Sequence, residues 1–157
     1  MKKLKLFALT LLLCVAAGCT CPQKHGEGMS SSKEEDNKKI ILDFYDKAIN
    51  QKDFEAAKVH FGNRYVQHNP AAADGPEGLK GFIEWMKVNQ PQAKAEFLRV
   101  LADGDFVYTH VRFTPGPGEK QWAVMDVFKL EDGKVVEHWD VIQQVPDNPA
   151  NTNSMFP

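Results

Sequence analysis

The chain has 157 residues, 43% hydrophobic and 25% charged, with a formal net charge of −2. Such a balance argues against nucleic acid or an anionic lipid surface as the main partner. Three cysteines build no disulfide framework, and the roughly 120 residues beyond the leader and its tether suffice for one domain around one core.

Lys2, Lys3 and Lys5 open the chain, and an uncharged apolar run follows over residues 6–17. The run is too short to cross a bilayer and has the layout of a secretory signal. It ends Val15-Ala16-Ala17-Gly18-Cys19, which resembles the bacterial lipobox. The resemblance implies cleavage before Cys19, acylation at that residue, and a chain anchored in the bacterial envelope. In a cell with two membranes the anchor faces the periplasm, at the outer membrane. An ordinary signal peptide with a chance cysteine is the alternative. Cys14 leaves with the leader and Cys21 stays alone. Taking the leader's three lysines from 19 basic residues leaves 16 against 21 acids, a net charge near −5. Residues 19–36 are polar and small enough for a tether, in which His25 is solvated. The expected division is therefore 1–18 signal, 19–36 tether, 37–157 domain.

A helix is predicted over 33–50, where Ile40, Ile41, Phe44, Tyr45, Ala48 and Ile49 recur at helical spacing, acids come early and Lys47 late. Asp53 is a plausible cap for a short second helix through about residue 60. Gly62-Asn63 ends it. Asn69 precedes Pro70 and is held out of the helical region, so His68 sits at the end of an element. Pro76 suits the first turn of a helix running to about residue 89, with Leu79, Phe82, Ile83 and Met86 inward. Strands are predicted over 95–102, 106–113, 121–130 and 134–143, with turns at Asp103-Gly104 and Asp132-Gly133 and a Pro-Gly-Pro-Gly loop at 115–118. Helices first and a meander last mean an α+β fold, helices on one side of an antiparallel sheet.

The last hairpin carries three ionisable residues where a buried strand should be apolar: Asp126, His138 and Asp140. Its turn sets their relation. A three-residue loop with a glycine bulge pairs Leu130 with Lys134, and so Asp126 with His138 and Val124 with Asp140. A two-residue turn would instead put Asp126 opposite Trp139. The bulged loop is the expected form, because it gives Gly133 the left-handed position that glycine favours. Alternation then places Trp122, Val124, Asp126 and Phe128 on one face with Val136, His138, Asp140 and Ile142. Ala123, Met125, Val127, Val135, Trp139 and Val141 form the other. In the strand over 106–113, Val107, Thr109, Val111 and Phe113 oppose Tyr108, His110 and Arg112. Both faces of the sheet are apolar, so the second is a candidate homodimer interface.

Gln67-His68-Asn69-Pro70, Asp74-Gly75-Pro76-Glu77-Gly78, the His110-x-Arg112 strand and Glu137-His138-Trp139-Asp140 together resemble the SnoaL-like group of the nuclear transport factor 2-like superfamily. The ending Asn151-Thr152-Asn153-Ser154-Met155-Phe156 is similar to endings in that group. The resemblance spans 38–156. It implies a cone in which N-terminal helices pack on a strongly curved sheet around an apolar cavity, often with a dimer across the outer sheet. It also implies cofactor-free chemistry of the polyketide-cyclase kind, with an aspartate as general acid/base, although fold membership supports a cavity better than a reaction.

Asp140 and Asp126 are the candidate bases for moving a proton beside a carbonyl, because burial and a second carboxylate raise a carboxyl pKa. One of them orienting His138 or capping buried donors is the bland reading. His138 orients an acid or shares its proton, unless the pair only holds the hairpin together. His68 is a gate or second acid/base group, or a loop hydrogen bond. Tyr65, Asn69, Trp122 and Phe128 are candidate ligand contacts. Tyr108, His110 and Arg112 extend a polar wall, or form a solvated strand face. No tight metal-binding spacing is present, and neither a metal nor a cofactor is expected. The expected ligand is a small apolar or carbonyl-containing compound, turned over by aldol, isomerase or dehydratase-type chemistry. A non-catalytic binder and a dimeric interaction domain are the alternatives.

Overall fold

The computed structural model describes residues 31–157, so the expected signal, Cys19 and the expected tether up to residue 30 lie outside the described residues. Helix α1 (Ser32–Tyr45) starts at a reciprocal cap: Ser31 Oγ accepts from Glu34 N–H at 3.2 Å, and Glu34 Oε2 accepts from Ser31 N–H at 2.7 Å. This cap begins the helix within the stretch that composition assigns to the tether. α1 continues into a π-helical turn, Asp46–Asn50. Asn50 then bonds both backbone groups of Ala95, at 2.8 and 3.1 Å, and ties the helix end to the sheet. Asp53 caps α2 (Phe54–Ala57) through Ala56 N–H at 3.0 Å, as expected. α3 (Gly75–Asn89) has proline in its first turn and buries Ile83 and Met86.

The strands are β1 (Phe61–Gln67), β2 (Lys94–Asp103), β3 (Phe106–Thr114), β4 (Trp122–Glu131) and β5 (Lys134–Gln144), in the order β1-β5-β4-β3-β2. β2 through β5 form the expected antiparallel meander. The β1 strand corrects the reading of a wholly antiparallel sheet, because it runs parallel to β5 at the edge. Its sequence, Phe-Gly-Asn-Arg-Tyr-Val-Gln, carries two turn-forming residues, and non-local pairing outweighs that local preference.

The hairpin between β4 and β5 differs from its expected form. Asp132 and Gly133 both have positive φ, 49° and 71°, so the turn has two residues and pairs Glu131 with Lys134. A bulge then intervenes between Lys129 and Leu130 on one strand and Glu137 and Val135 on the other, leaving Val136 without a partner. The extra residue restores the parity of the faces. Asp126 pairs with Asp140, and Phe128 with His138, in place of the predicted Asp126–His138 and Val124–Asp140 pairings. Tertiary packing accounts for the bulge. Val135 and Val136 are both buried, and Val136 lies where a side chain on Gly62 of β1 would come within 2.8 Å of it. Val135 consequently joins the core, contrary to its predicted place on the outer face.

That core lies between the helices and the inner face. Ile41, Phe44, Tyr45, Ala48 and Ile49 meet Val107, Val111, Val124, Phe128 and Leu130, with Ile83 and Met86 closing one side. The outer face leaves Leu101, Met125 and Val141 exposed. The C-terminal segment crosses it, with the Phe156 ring 4.6 Å from the Arg112 guanidinium and stacked near His110.

Candidate functional site

A cavity of about 470 Å³ opens between α1, α3 and the inner face of the sheet, within the usual range for small-molecule sites. Its walls are mostly apolar: Phe44, Ile49, Leu79, Trp85, Phe113 and Val124 among them. Its polar floor is built by strand alternation. β4 contributes Asp126 and β5 contributes His138 and Asp140, because residues two apart share a face. Tyr65 and Gln67 come from β1 by the same rule, and Asn69 from the turn after it.

The two carboxylates stand opposite each other yet differ in surroundings. Asp126 is 2% exposed. Its Oδ2 accepts from Thr109 Oγ1 at 2.6 Å, and its Oδ1 lies 3.2 Å from His138 Nε2. Asp140 is half-buried and accepts one hydrogen bond among the described residues, from Asn69 Nδ2 at 2.6 Å. Burial pushes the Asp140 carboxyl above its ordinary value. The Asp126 charge adds to that, while a cationic His138 and the Asn69 amide oppose it.

Side-chain amides orient this floor. Gln67 Oε1 accepts from Asn69 N–H at 2.9 Å, so its Nε2 is turned toward His138 Nδ1, 3.0 Å away. His138 thus meets the Gln67 amide at Nδ1 and Asp126 at Nε2. Asn69 Oδ1 accepts from Ala71 N–H at 2.8 Å, which likewise aims its amino group at Asp140. The His138 ring stacks on Phe128 at 4.6 Å. Tyr45, 9% exposed, lies in the wall where α1 passes into its π-helical turn. Burial, with the Asp126 and Asp140 charges, raises the Tyr45 and Tyr65 hydroxyls above their ordinary value, so both stay protonated donors.

Of the residues expected from sequence, the cavity gathers Asp126, His138, Asp140, Tyr65, Asn69, Trp122 and Phe128. Four others lie elsewhere. His68 points to the outer side, stacked on Trp139 at 4.3 Å and 3.2 Å from Glu137, because β1 extends to Gln67 and the next side chain turns away. It does not line the cavity. Tyr108, His110 and Arg112 share the outer face of β3; Arg99 contacts His110 and Glu96 pairs with Arg112. They do not form a polar wall, since Thr109 between them faces Asp126. Thr109, Gln67 and Tyr45 escaped the sequence reading. The alternation of β3 already placed Thr109 on the inner face, and recognising β1 as a strand would have found Gln67. Tyr45 looked like any core residue of an amphipathic helix.

Donor atoms of Asp126, His138 and Asp140 lie within 4.8 Å of one another, a set chemically able to hold a metal ion. Here, however, Asp126 and His138 are bonded to each other.

The SnoaL-like domain profile matches residues 41–138. No curated protein matches the chain in sequence. Among solved structures, a protein assigned as a SnoaL-like polyketide cyclase from Jannaschia sp. CCS1 is 20% identical, with a TM-score of 0.61 over 73% of this chain and 90% of that one. A protein assigned as a polyketide cyclase from Bacillus cereus ATCC 10987 is 22% identical, with a TM-score of 0.60 over 68% and 74%. An LEH-like epoxide hydrolase from M. tuberculosis is 20% identical, with a TM-score of 0.58 over 70% and 84%. At these identities the likeness is one of fold, the curved sheet packed with helices that the nuclear transport factor 2-like superfamily shares.

Proposed function

The chain belongs to the SnoaL-like domain family, and from that premise we propose that it holds a small, largely apolar carbonyl compound and moves a proton at the carbon beside the carbonyl. The reaction would be of aldol, isomerase or dehydratase type and needs no cofactor. One observation carries the reading: two opposed carboxylates at the floor of an apolar cavity, only one of them free for a ligand. Asp126 is 2% exposed and engages Thr109 and His138 through its two oxygens, whereas Asp140 is half-buried and keeps room beside its single bond to Asn69. Asp140 is the base, made more basic by burial and by Asp126. Tyr45 and Tyr65 are donors for the oxygen on which negative charge develops. The polyketide-cyclase and epoxide-hydrolase assignments of proteins with this fold support small-molecule chemistry in such a cavity.

Mass spectrometry of compounds co-purifying with the chain would identify the ligand class, and turnover of matching carbonyl compounds would then be compared. Asp140→Asn is expected to lose roughly 10²- to 10⁴-fold in kcat while still binding. Wild-type turnover in both Asp140→Asn and Asp126→Asn would sink the proposal. The apolar walls also favour a second reading, a binder without chemistry, for which the ligand is recovered unchanged by every variant. The volume of about 470 Å³ argues against a third, an interaction domain with a filled interior.

The envelope anchor at Cys19 and a homodimer across the outer sheet belong to the same proposal. The lipobox-like sequence supports the first, and exposed Leu101, Met125 and Val141 support the second.

A further inference from the structure

Proton transfer at a carbonyl leaves the charge of the ligand open. No lysine or arginine lines the cavity, and two of its lining residues are aspartates. His138 meets Asp126 through Nε2 at 3.2 Å and the Gln67 amide at Nδ1, and it makes no hydrogen bond to Asp140. Thr109 and His138 satisfy the two oxygens of Asp126, and Asn69 bonds Asp140. Asp140 therefore has no lysine, arginine or histidine bonded to it among the described residues, an arrangement that is costly in apolar surroundings.

Two further observations bear on the ligand. Aromatic residues from three sides, Phe44, Tyr45, Tyr65, Phe82, Trp85 and Trp122, line the space above the carboxylates, and aromatic rings attract cations. Tyr45 is nine-tenths buried, and nothing among the described residues hydrogen-bonds its hydroxyl, which leaves a polar group for the ligand to meet.

We infer that the cavity selects by charge: it takes an organic cation, a protonated amine on an apolar body, over the neutral analogue, and it excludes carboxylates and phosphates. The ammonium group lies toward the Asp126 and Asp140 carboxylates, with the apolar body among the rings. A cation supplies the missing counter-charge, whereas an anion would add a third negative group. A metal ion is the poorer occupant, because Asp126 and His138 would have to give up their bonds to Thr109, to Gln67 and to each other. The inference rests on the cavity and is independent of any proton transfer.

Calorimetric titration of the full chain near pH 7 with 2-naphthylmethylamine, 2-naphthylmethanol and 2-naphthoate reads this selection on one skeleton. The amine is expected to bind at least about tenfold more tightly than the alcohol, and the naphthoate at least about tenfold more weakly. Asp140→Asn, whose side-chain oxygen can still accept from Asn69, should bring the amine within about threefold of the alcohol. Naphthoate binding as tightly as the alcohol, an amine no tighter than the alcohol, or no binding by any of the three would overturn the inference. So would an amine preference untouched by Asp140→Asn, or zinc binding more tightly than the amine. The three wild-type titrations decide the matter even if the variant does not fold. Failure here leaves the acid/base reading standing, since that is judged by turnover.

Discussion

Asp126 and Asp140 are the same residue type on neighbouring strands, and their surroundings divide their roles. The burial that makes Asp140 a better base also has a consequence for stability. Its folded pKa lies above the unfolded value, by desolvation first and then by the Asp126 charge. The folded state therefore holds this proton more tightly. Below the ordinary carboxylate range the group favours folding, and that contribution is lost as pH rises through the raised value. Asp140→Asn should accordingly melt at a higher temperature than wild type near pH 7, with the gap closing below about pH 4. Calorimetric melting across this range checks it; a variant that melts lower at neutral pH would contradict the account. Greater stability with lower turnover is a usual exchange at a catalytic acid. The acids and His138 were readable because charges in an apolar strand are conspicuous and alternation is local. Gln67 was not, because an amide in an unrecognised strand carries no such signal. His68 was misplaced for the same reason: its face depends on where β1 ends.

Among the elements, α3 and the loop before it form one wall of the cavity, and Gly78 sets their distance. A Cβ built there would lie 2.0 Å from the Ala73 carbonyl oxygen. Since that obstacle is backbone, the loop must move. Gly78→Ala should destabilise the protein by about 1–3 kcal/mol and weaken ligand binding, measured by urea unfolding and by titration. A neutral outcome would mean that the 71–73 loop is free to shift. The hairpin illustrates how far pattern reading reaches. Alternation correctly grouped Trp122, Val124, Asp126 and Phe128 with His138, Asp140 and Ile142. The turn chemistry of Asp132-Gly133 permitted two registers, and the bulge at Val136 produced a third. Nothing local to β4 and β5 selects it, because the space for Val136 is created by Gly62 on a strand distant in sequence.

For the whole molecule, the position of α1 orients the cavity. Its N-terminal turn meets the β2–β3 turn: Asn37 donates to Gly104 O at 3.1 Å, and Lys33 pairs with Asp105 at 2.5 Å. Phe113, Trp122 and Ile142, which rim the cavity, lie toward the opposite ends of the strands, roughly 20 Å away at 3.3 Å per residue. The proposed anchor and dimer are tested together on membrane fractions and on detergent-extracted protein. Cys19→Ser should release the chain into the soluble fraction, and Val141→Glu on the outer face should halve the mass measured by sedimentation without altering the cavity. A wild-type monomer would remove the dimer from the proposal. From the amino-acid order alone came the helices, the meander, the family and which side chains of the last hairpin share a face, since each depends on near neighbours and simple periods. Tertiary structure decided that Asp126 faces Asp140, that the Gln67 amide meets His138, and that His68 and Arg112 lie outside the cavity. Those outcomes depend on strand ends, a bulge and a parallel edge pairing, all of which are chosen by contacts between residues far apart in the chain.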